Sequence, residues 1–211
     1  MGMEASIGVR GINPNTRTRM AQTRKLLPTE APLLADHLIR LSPEDRRLRF
    51  GGMFLRDDAV RRYVASIDWA HSWHVGLFDE GDLRAVVQLS VPRAGEHDGA
   101  PWLRPGAAEF AVSVEKKWQR RGVATQLLGQ AVVVARNRHV RDLYMLCLPE
   151  NEPMRRLARK VGIRLVFRDG EVTGHVDLPA PDQLTVFAEF AVEAAAAIDR
   201  WADLVAPSPA R

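Results

Sequence analysis

The sequence contains a single cysteine, Cys147, among its 211 residues. An internal disulfide is therefore excluded, and a lone thiol is typical of a reducing compartment. The N-terminal region lacks the apolar core of a signal peptide, and no apolar run reaches the length that a membrane span needs. These absences predict a cytoplasmic protein that does not act at membranes.

Blocks of like charge are also absent, and no stripe of Lys and Arg is interleaved with aromatic residues. The formal net charge of +4 and the isoelectric point of about 9.7 are therefore not taken as a sign of nucleic-acid binding. A small polyanionic ligand explains the same excess of positive charge. The apolar content of 46% and charged content of 27% are typical of a globular chain with one substantial core.

Turn signals and hydrophobic periodicity divide the chain into alternating strands and helices. Strands are predicted at 24–27, 73–78, 83–91, 108–114, 142–148, 163–168 and 171–178. The segments 79–82 and 169–170 are typical of hairpin turns. Ser42 and Asp182 are predicted helix N-caps, and Gly162 a C-cap. Hairpins beside one strand–helix–strand–helix unit indicate a mixed sheet with helices on its faces.

The chain divides into four segments by composition. We predict a lead-in at 1–22, a domain at 23–178, a helix within 179–206 that packs on the domain or forms a dimer interface, and a tail at 207–211. The last helix carries an apolar stripe that we expect to face inward, as core or as a homodimer surface. It consists of Phe187, Phe190, Ala191, Ala194, Ile198 and Trp201.

Residues 119–125 read Gln-Arg-Arg-Gly-Val-Ala-Thr and lie between an apolar strand and a periodic helix. A glycine at the start of a helix lets a ligand come close to the backbone. The unpaired N–H groups of the first turn and the positive end of the helix dipole then form an anion site. Arg120 and Arg121 add charge that suits phosphate oxygens. The segment therefore predicts a phosphate-bearing ligand.

Two motifs, in this order along the chain, resemble the GNAT family of acyl-CoA-dependent N-acyltransferases. The family signature Gln/Arg-x-x-Gly-x-Gly/Ala is matched by Gln119, Gly122 and Ala124. A second family pattern is an Asn that opens a later helix, which ends in a Gly and an apolar residue. It is matched by Asn151, Gly162 and Ile163.

Three further segments are similar to the catalytic domains of bacterial protein lysine acetyltransferases of the Pat type. They are Ser42-Pro-Glu-Asp with Arg49-Phe50, Ala108-Glu-Phe-Ala-Val112, and Leu148-Pro-Glu-Asn151. The resemblance covers about residues 23–178 and implies an α/β (α+β) fold. Its central sheet would be mixed, mostly antiparallel, six- to seven-stranded and flanked by helices, with an extra long C-terminal helix added. It also implies acetyl-CoA as cofactor and an amine as acceptor.

The same resemblance implies a role for each part of the motif. The pyrophosphate of the cofactor would lie on the backbone of 121–125, and its pantetheine arm would pair with 112–114 beside a bulge that opens the sheet. A freed N–H near Val112 would then face the thioester oxygen. The residues that the resemblance assigns to the cofactor are Val112, Val114, Gln119, Arg120, Arg121, Gly122, Val123, Ala124, Thr125 and Asn151.

Glu109 is the candidate catalytic residue. Strand alternation places its carboxylate with Ala111 and Ser113, so that a charge projects from an otherwise apolar strand. A free lysine has a pKa of about 10.4 and is almost entirely protonated at neutral pH, so a general base is needed. Partial burial would raise the pKa of the carboxyl toward a useful value. Pat-type domains carry a catalytic Glu at this position.

Other candidate groups are weaker. The Tyr that many GNAT enzymes use to protonate the leaving thiolate is replaced by Ala158, and Ser113 is an alternative donor through water. Cys147 is expected to be a buried small hydrophobe and not an acyl carrier. His71 and His74 lack a third ligand, so no metal is predicted.

The sequence leaves the acceptor open. A protein lysine would need a shallow groove beside Glu109, whereas a small amine such as a polyamine or aminoglycoside would need an acidic pit. Glu80, Glu96 and Asp98 are the candidate acids for such a pit. A non-catalytic acetyl-CoA-sensing module is the third alternative, because the usual Tyr is missing.

Overall fold

The computed structural model describes residues 21–53, 55–93, 103–168 and 170–205. Its strands are β1 Gln22–Lys25, β2 Ser72–Asp79, β3 Asp82–Ser90, β4 Ala107–Val114, β5 Asp142–Cys147, β6 Arg164–Arg168 and β7 Glu171–Asp177. Its helices are α1 Ala31–Arg40, α2 Pro43–Arg49, α3 Asp57–Ala65, α4 Val123–Asn137, α5 Glu152–Lys160 and α6 Gln183–Val205. Over these described ranges, every helix is too short or too polar to cross a bilayer.

The seven described strands form one sheet in the order β1-β2-β3-β4-β5-β7-β6. Neighbouring strands are antiparallel except β4 and β5, which are parallel and are connected through α4. This arrangement confirms the expected mixed, mostly antiparallel sheet flanked by helices.

The parallel pairing of β4 and β5 is short. It joins Ala107–Glu109 to Asp142–Tyr144, and beyond Glu109 the two strands diverge. The expectation of a bulge in β4 is wrong, because its register with β3 is uniform from Ser90↔Glu109 to Ala85↔Val114. The sheet therefore opens because β4 stays with β3 and leaves β5.

Each face of the sheet carries its own apolar core. One core packs under α4 and α5 and includes Leu89, Phe110 and Leu127. The other packs under α1 and α3 and includes Leu34 and Val86. Because neighbouring residues of a strand point to opposite faces, β4 presents Phe110 to the first core and its odd-numbered residues to the other face.

Capping and turn residues predicted the element boundaries closely. The Ser42 hydroxyl accepts a hydrogen bond from the Asp45 N–H at 3.1 Å, and the Asp182 carboxylate accepts one from the Thr185 N–H at 2.9 Å. Glu80 and Gly81 have φ values of 53° and 88°, which the tight turn between β2 and β3 requires. The second predicted turn contains Asp169, which lies outside the described residues.

The orientation of α6 differs from the expectation. Phe187, Phe190, Ile198 and Trp201 are exposed, with accessible fractions of 65–70%, and Ala191 is exposed as well. The expectation that these residues form core is therefore wrong, whereas the alternative of a homodimer surface stays a prediction. The helix is instead held against α4 and β1 by its polar side, on which the Glu189 carboxylate is paired with the Lys25 ammonium and the Arg138 guanidinium.

Acid should destabilise the fold through His74. This side chain is 1% exposed, neither ring nitrogen has a hydrogen-bond partner, and burial together with the charge of Arg49 lowers its pKa from 6.5 to about 4. The unfolded chain therefore binds a proton that the folded chain excludes. Between pH 6.5 and 4 this residue should remove up to about 3 kcal/mol from the free energy of unfolding.

The measurement is urea unfolding at a series of pH values across this range. His74→Phe, which keeps an aromatic ring against Trp69, should show a shallower loss of stability on acidification. His71→Gln serves as the control because His71 is nearly half exposed. If the free energy of unfolding fell equally with pH in His74→Phe and in the parent protein, His74 would not be the acid-sensitive group.

Candidate active site

The start of α4 forms a cradle of backbone N–H groups. Gly122 is its N-cap with φ 80° and ψ −3°, and the first helical hydrogen bond runs from the Gln126 N–H to the Gly122 carbonyl at 3.0 Å. The amides of residues 123–125 precede that bond and have no helical acceptor. A Cβ on Gly122 would meet no atom within 4 Å, so a ligand can approach the backbone here. The cradle fits a diphosphate.

The two arginines before Gly122 lie at the surface. Arg120 adopts a left-handed φ of 60°, which is rare for a residue with a side chain and turns the backbone into the cradle. The Arg121 guanidinium lies 5.5 Å from the centre of the Trp118 ring. Both arginines are exposed and able to move toward an anion.

Gln119 holds the loop in place. Its side-chain amide donates to the Val114 carbonyl at 3.0 Å and to the Asp45 carboxylate at 3.1 Å. These bonds join the loop to the end of β4 and to α2. Gln119 of the family signature thus fixes the loop that carries the cradle to β4 and α2.

The diverging strands leave an open edge on β4. Val112 and Val114 are half-buried on the part of β4 that continues beyond its pairing with β5. Such an edge can pair with an extended ligand as with an added strand. Across the opening, the Asn151 side chain caps α5 by accepting the Met154 N–H at 3.2 Å.

Glu109 lies at the point where the opening begins. It is the last residue of β4 that pairs with β5, and its half-buried side chain points away from α4. Burial raises the pKa of its carboxyl, and the positive charge of Arg49 offsets part of that increase. Among the described residues, no hydrogen-bond donor is bonded to this carboxylate. The group is therefore available to accept a proton.

A polar patch surrounds Glu109 on the same face of the sheet. The Arg49 guanidinium and the Tyr63 hydroxyl both donate to the side-chain carbonyl of Gln88 at 2.7 Å. Cross-strand pairing places Ser90 on one side of Glu109 and Tyr144 on the other. The sequence pattern did not reveal these neighbours, although Arg49 belongs to one of the Pat-like segments.

The hydroxyl of Ser113, the alternative proton donor through water, is engaged by a buried histidine. Ser113 is 6% exposed, and its hydroxyl is hydrogen-bonded at 2.8 Å to Nε2 of the fully buried His37. Burial lowers the pKa of His37, so the ring is neutral at pH 7. The Glu115 carboxylate, 3.4 Å from the other ring nitrogen, is bound by Arg40. This cluster fastens α1 to β4.

The remaining candidates have structural roles. Ala158 is fully buried in the core under α4 and α5 and supplies no proton donor. Cys147 is buried in the same core, and burial raises the pKa of its thiol to about 11. It is therefore a neutral thiol at physiological pH and not an acyl carrier.

The acids proposed for a small-amine pit do not meet at Glu109. Glu80 lies in the turn before β3, whereas Glu109 pairs with Ser90 at the opposite end of that strand. The length of β3 separates the two ends, which is roughly 26 Å. Glu96 and Asp98 lie outside the described residues. The role of Glu80 in such a pit is therefore excluded.

One group of side chains in the described residues has the spacing of a metal site, Asp142, His175 and Asp177. The Arg104 guanidinium already lies 3.0 Å from the Asp142 carboxylate, and the His175 ring is hydrogen-bonded to it at the same distance. An ion pair thus occupies the centre of the group. His71 lies outside this group and is hydrogen-bonded to Asp68 at 2.8 Å.

Comparison with known proteins identifies the class that this geometry defines. Residues 39–163 match the Acetyltransferase (GNAT) family, and the chain belongs to that family. It is a GNAT N-acetyltransferase domain, and the fold and the cradle at α4 agree with this assignment.

Two of its relatives are Pat proteins. The chain is 27% identical to Acetyltransferase Pat of Mycolicibacterium smegmatis over 164 residues, which are 75% of this chain and 46% of the relative. The chain thus spans less than half the length of this curated relative. The GNAT domain of S. lividans PAT matches with a TM-score of 0.61 and 29% identity, over 75% of this chain and 90% of that one.

A structure from Salmonella typhimurium shares the fold and contains its cofactor, acetyl-CoA. Its TM-score is 0.56 at 13% identity, over 77% of this chain and 98% of that one. At this level of identity the match supports the fold alone.

The pKa of Glu109 should respond to Arg49. Arg49→Met removes the positive charge that stabilises the carboxylate, so the pKa of Glu109 should rise further above its ordinary value of 4.5. Arg49→Lys is the matched control because it keeps the charge and should leave the pKa closer to that of the parent. NMR titration of ¹³C-labelled glutamate carboxyls measures both. An unchanged pKa in Arg49→Met would show that the two groups are not coupled.

Proposed function

We propose that this chain transfers the acetyl group of acetyl-CoA to the side-chain amine of a protein lysine, with Glu109 as general base. The observation that carries the proposal is the position of Glu109. It is a half-buried carboxylate with a raised pKa, at the vertex of the opening between β4 and β5. A base at this position can reach an amine that approaches the end of a ligand lying along β4.

The chain offers three kinds of contact to the cofactor. The amides of residues 123–125 bind the diphosphate, with Arg120 and Arg121 as mobile counter-charges. The open edge of β4 at Val112 and Val114 pairs with the pantetheine arm, and a main-chain N–H near Val112 faces the thioester oxygen. Asn151 contacts the arm from the opposite wall, and Gln119 keeps the loop in register with β4.

Glu109 prepares the attacking amine. A lysine ammonium has to lose a proton before its nitrogen can form a bond, and the Glu109 carboxylate takes that proton directly or through one water. Bound acetyl-CoA supplies the thioester, so that the new C–N bond replaces the C–S bond. A thiol has an ordinary pKa of about 8.5, so the departing thiolate leaves without a dedicated acid. This agrees with the presence of Ala158 where many GNAT enzymes have a Tyr.

The acceptor is proposed as a lysine of a protein. The similarity of segments 42–50, 108–112 and 148–151 to Pat-type catalytic domains favours it. Among the described residues, the polar patch beside Glu109 is formed by Gln88, Ser90, Tyr144 and the Arg49 guanidinium, and it contains no cluster of acids. A polycationic small amine would require such a cluster.

The neutral, buried thiol of Cys147 is consistent with the reducing environment of the cytoplasm.

Cofactor binding should depend on Gly122 more than on a matched glycine. Gly122 and Gly162 both have φ 80°, and a Cβ added at either position would meet no atom within 4 Å, so alanine strains the backbone equally at each. Only Gly122 lies in the cradle. Gly122→Ala should weaken the binding of coenzyme A at least about tenfold in calorimetry, whereas Gly162→Ala should not. If the two variants bound coenzyme A with equal affinity, the diphosphate would have to bind elsewhere.

Glu109→Gln should separate chemistry from binding. We expect thiol release with lysine peptides to fall about 10²- to 10⁴-fold while the affinity for acetyl-CoA is kept. In the parent protein, kcat/KM should decrease as the pH falls through the raised pKa of Glu109, because the protonated carboxyl cannot act as a base. The variant should lose this dependence.

Glu80→Gln is the control, since Glu80 is an exposed carboxylate at the far end of β3. Parent-like turnover in Glu109→Gln would refute the general base. A parent protein that binds acetyl-CoA but releases no thiol with any peptide or amine would indicate a sensing module. Release with small amines only would assign the alternative acceptor class.

A further inference from the structure

Helix α6 is attached to the domain through its polar side. The Glu189 carboxylate accepts a hydrogen bond from the Asn137 amide at 2.6 Å and is paired with Lys25 and Arg138. Glu193 is paired with the same Lys25. Among the α6 residues whose side chains the structure describes, those buried against the domain are Thr185 and Ala196. The side of α6 that faces the domain is thus ionic.

The outward side of α6 is apolar and has a regular spacing. Its residues follow one another at intervals of three and four, which is the heptad pattern of helices that pair with other helices. The stripe consists of Leu184, Phe187, Ala191, Ala194, Ile198 and Trp201. Leu184 is 81% exposed and Trp201 is 65% exposed, so both ends of the stripe are open. We call these six residues the α6 stripe.

The area of this surface is close to what a stable dimer needs. A fully exposed aromatic side chain offers about 150–250 Å², and Phe187, Phe190 and Trp201 are each about two-thirds exposed. With Leu184 and Ile198 added, the patch amounts to roughly 600–800 Å². A monomer rarely exposes more than about 300–600 Å² in one patch, and a standard interface buries about 800 Å² on each partner.

The α6 stripe has the same order of sizes when it is followed from either end. Two large residues are followed by Ala191 and Ala194 and then by two more large residues. An antiparallel copy of the helix would therefore place Leu184 against Trp201, Phe187 against Ile198, and the alanines against each other. Small residues at the centre allow the two helix axes to approach closely. A twofold axis requires a self-complementary surface of this kind.

The residues that flank the α6 stripe argue against a lipid surface. They are Ala188, Phe190, Ala195 and Ala197, and none is charged. A helix that lies on a membrane has Lys and Arg on its polar side in contact with headgroups, whereas the polar side of α6 is engaged with the domain. Uncharged flanks also let two identical helices meet without repulsion.

We propose that the α6 stripe is the interface of a homodimer, in which two copies of α6 pack antiparallel about a twofold axis between Ala191 and Ala194. The proposal is independent of the acetyl-transfer assignment. It explains why a helix with this apolar face is held to the domain by ionic contacts.

Sedimentation of the full chain tests the proposal. We expect a mass twice the 23.6 kDa of one chain at micromolar concentration. Phe187→Glu should raise the dissociation constant at least about a hundredfold, because it places two unpaired carboxylates in the apolar interface. Val166→Glu is the control, since Val166 on β6 is also exposed, by 60%, and lies outside α6. Circular dichroism and thermal unfolding check that each variant is folded.

A charge-pair variant tests the direction of packing. In the antiparallel arrangement, Phe187→Glu combined with Ile198→Lys places each new carboxylate against a new ammonium of the other copy. The double variant should therefore recover dimerisation relative to Phe187→Glu alone, whereas a parallel pair would not. A parent protein that stays monomeric, a dimer that Phe187→Glu does not weaken, or a monomer that cosediments with phospholipid vesicles would overturn the proposal.

Discussion

The short parallel pairing of β4 with β5 is the constraint on which the site depends. Three residues of each strand are joined, and the pairing ends at Glu109 and Tyr144. Since β4 remains fully paired with β3, the divergence exposes one of its edges without loosening the rest of the sheet. The amide cradle follows β4 and the Asn151 cap follows β5, so the two lie beyond the ends of the diverging strands.

Much of the fold is encoded in signals between near neighbours, and these could be predicted from the sequence. The caps at Ser42 and Asp182 depend on side chains that bond to amides three residues away. The position of Gly122 before a periodic helix predicted the open amides that follow it, and the structure adds that its backbone is left-handed. Alternation along β4 predicted that the Glu109 carboxylate projects on the face opposite to Phe110.

The features that could not be predicted depend on residues that are distant along the chain. The pairing of Arg49 with Gln88 and of His37 with Ser113 joins helices to strands 39 and 76 residues later. The periodicity of α6 was correctly predicted, but periodicity does not say which side of a helix faces the domain. In the structure, the side of α6 that faces the domain carries Glu189, which is paired with Lys25 and Arg138.

An ion pair between Arg47 of α2 and Glu150 after β5 joins this helix to the segment that leads into α5. The Arg47 guanidinium lies 3.0 Å from the Glu150 carboxylate, which is about half exposed. Exposed ion pairs stabilise a fold little and weaken as salt rises. The pairing of β4 with β5, by contrast, consists of backbone hydrogen bonds that ionic strength barely affects. Raised ionic strength therefore loosens the tie between α2 and the segment after β5 while the paired strands keep their register.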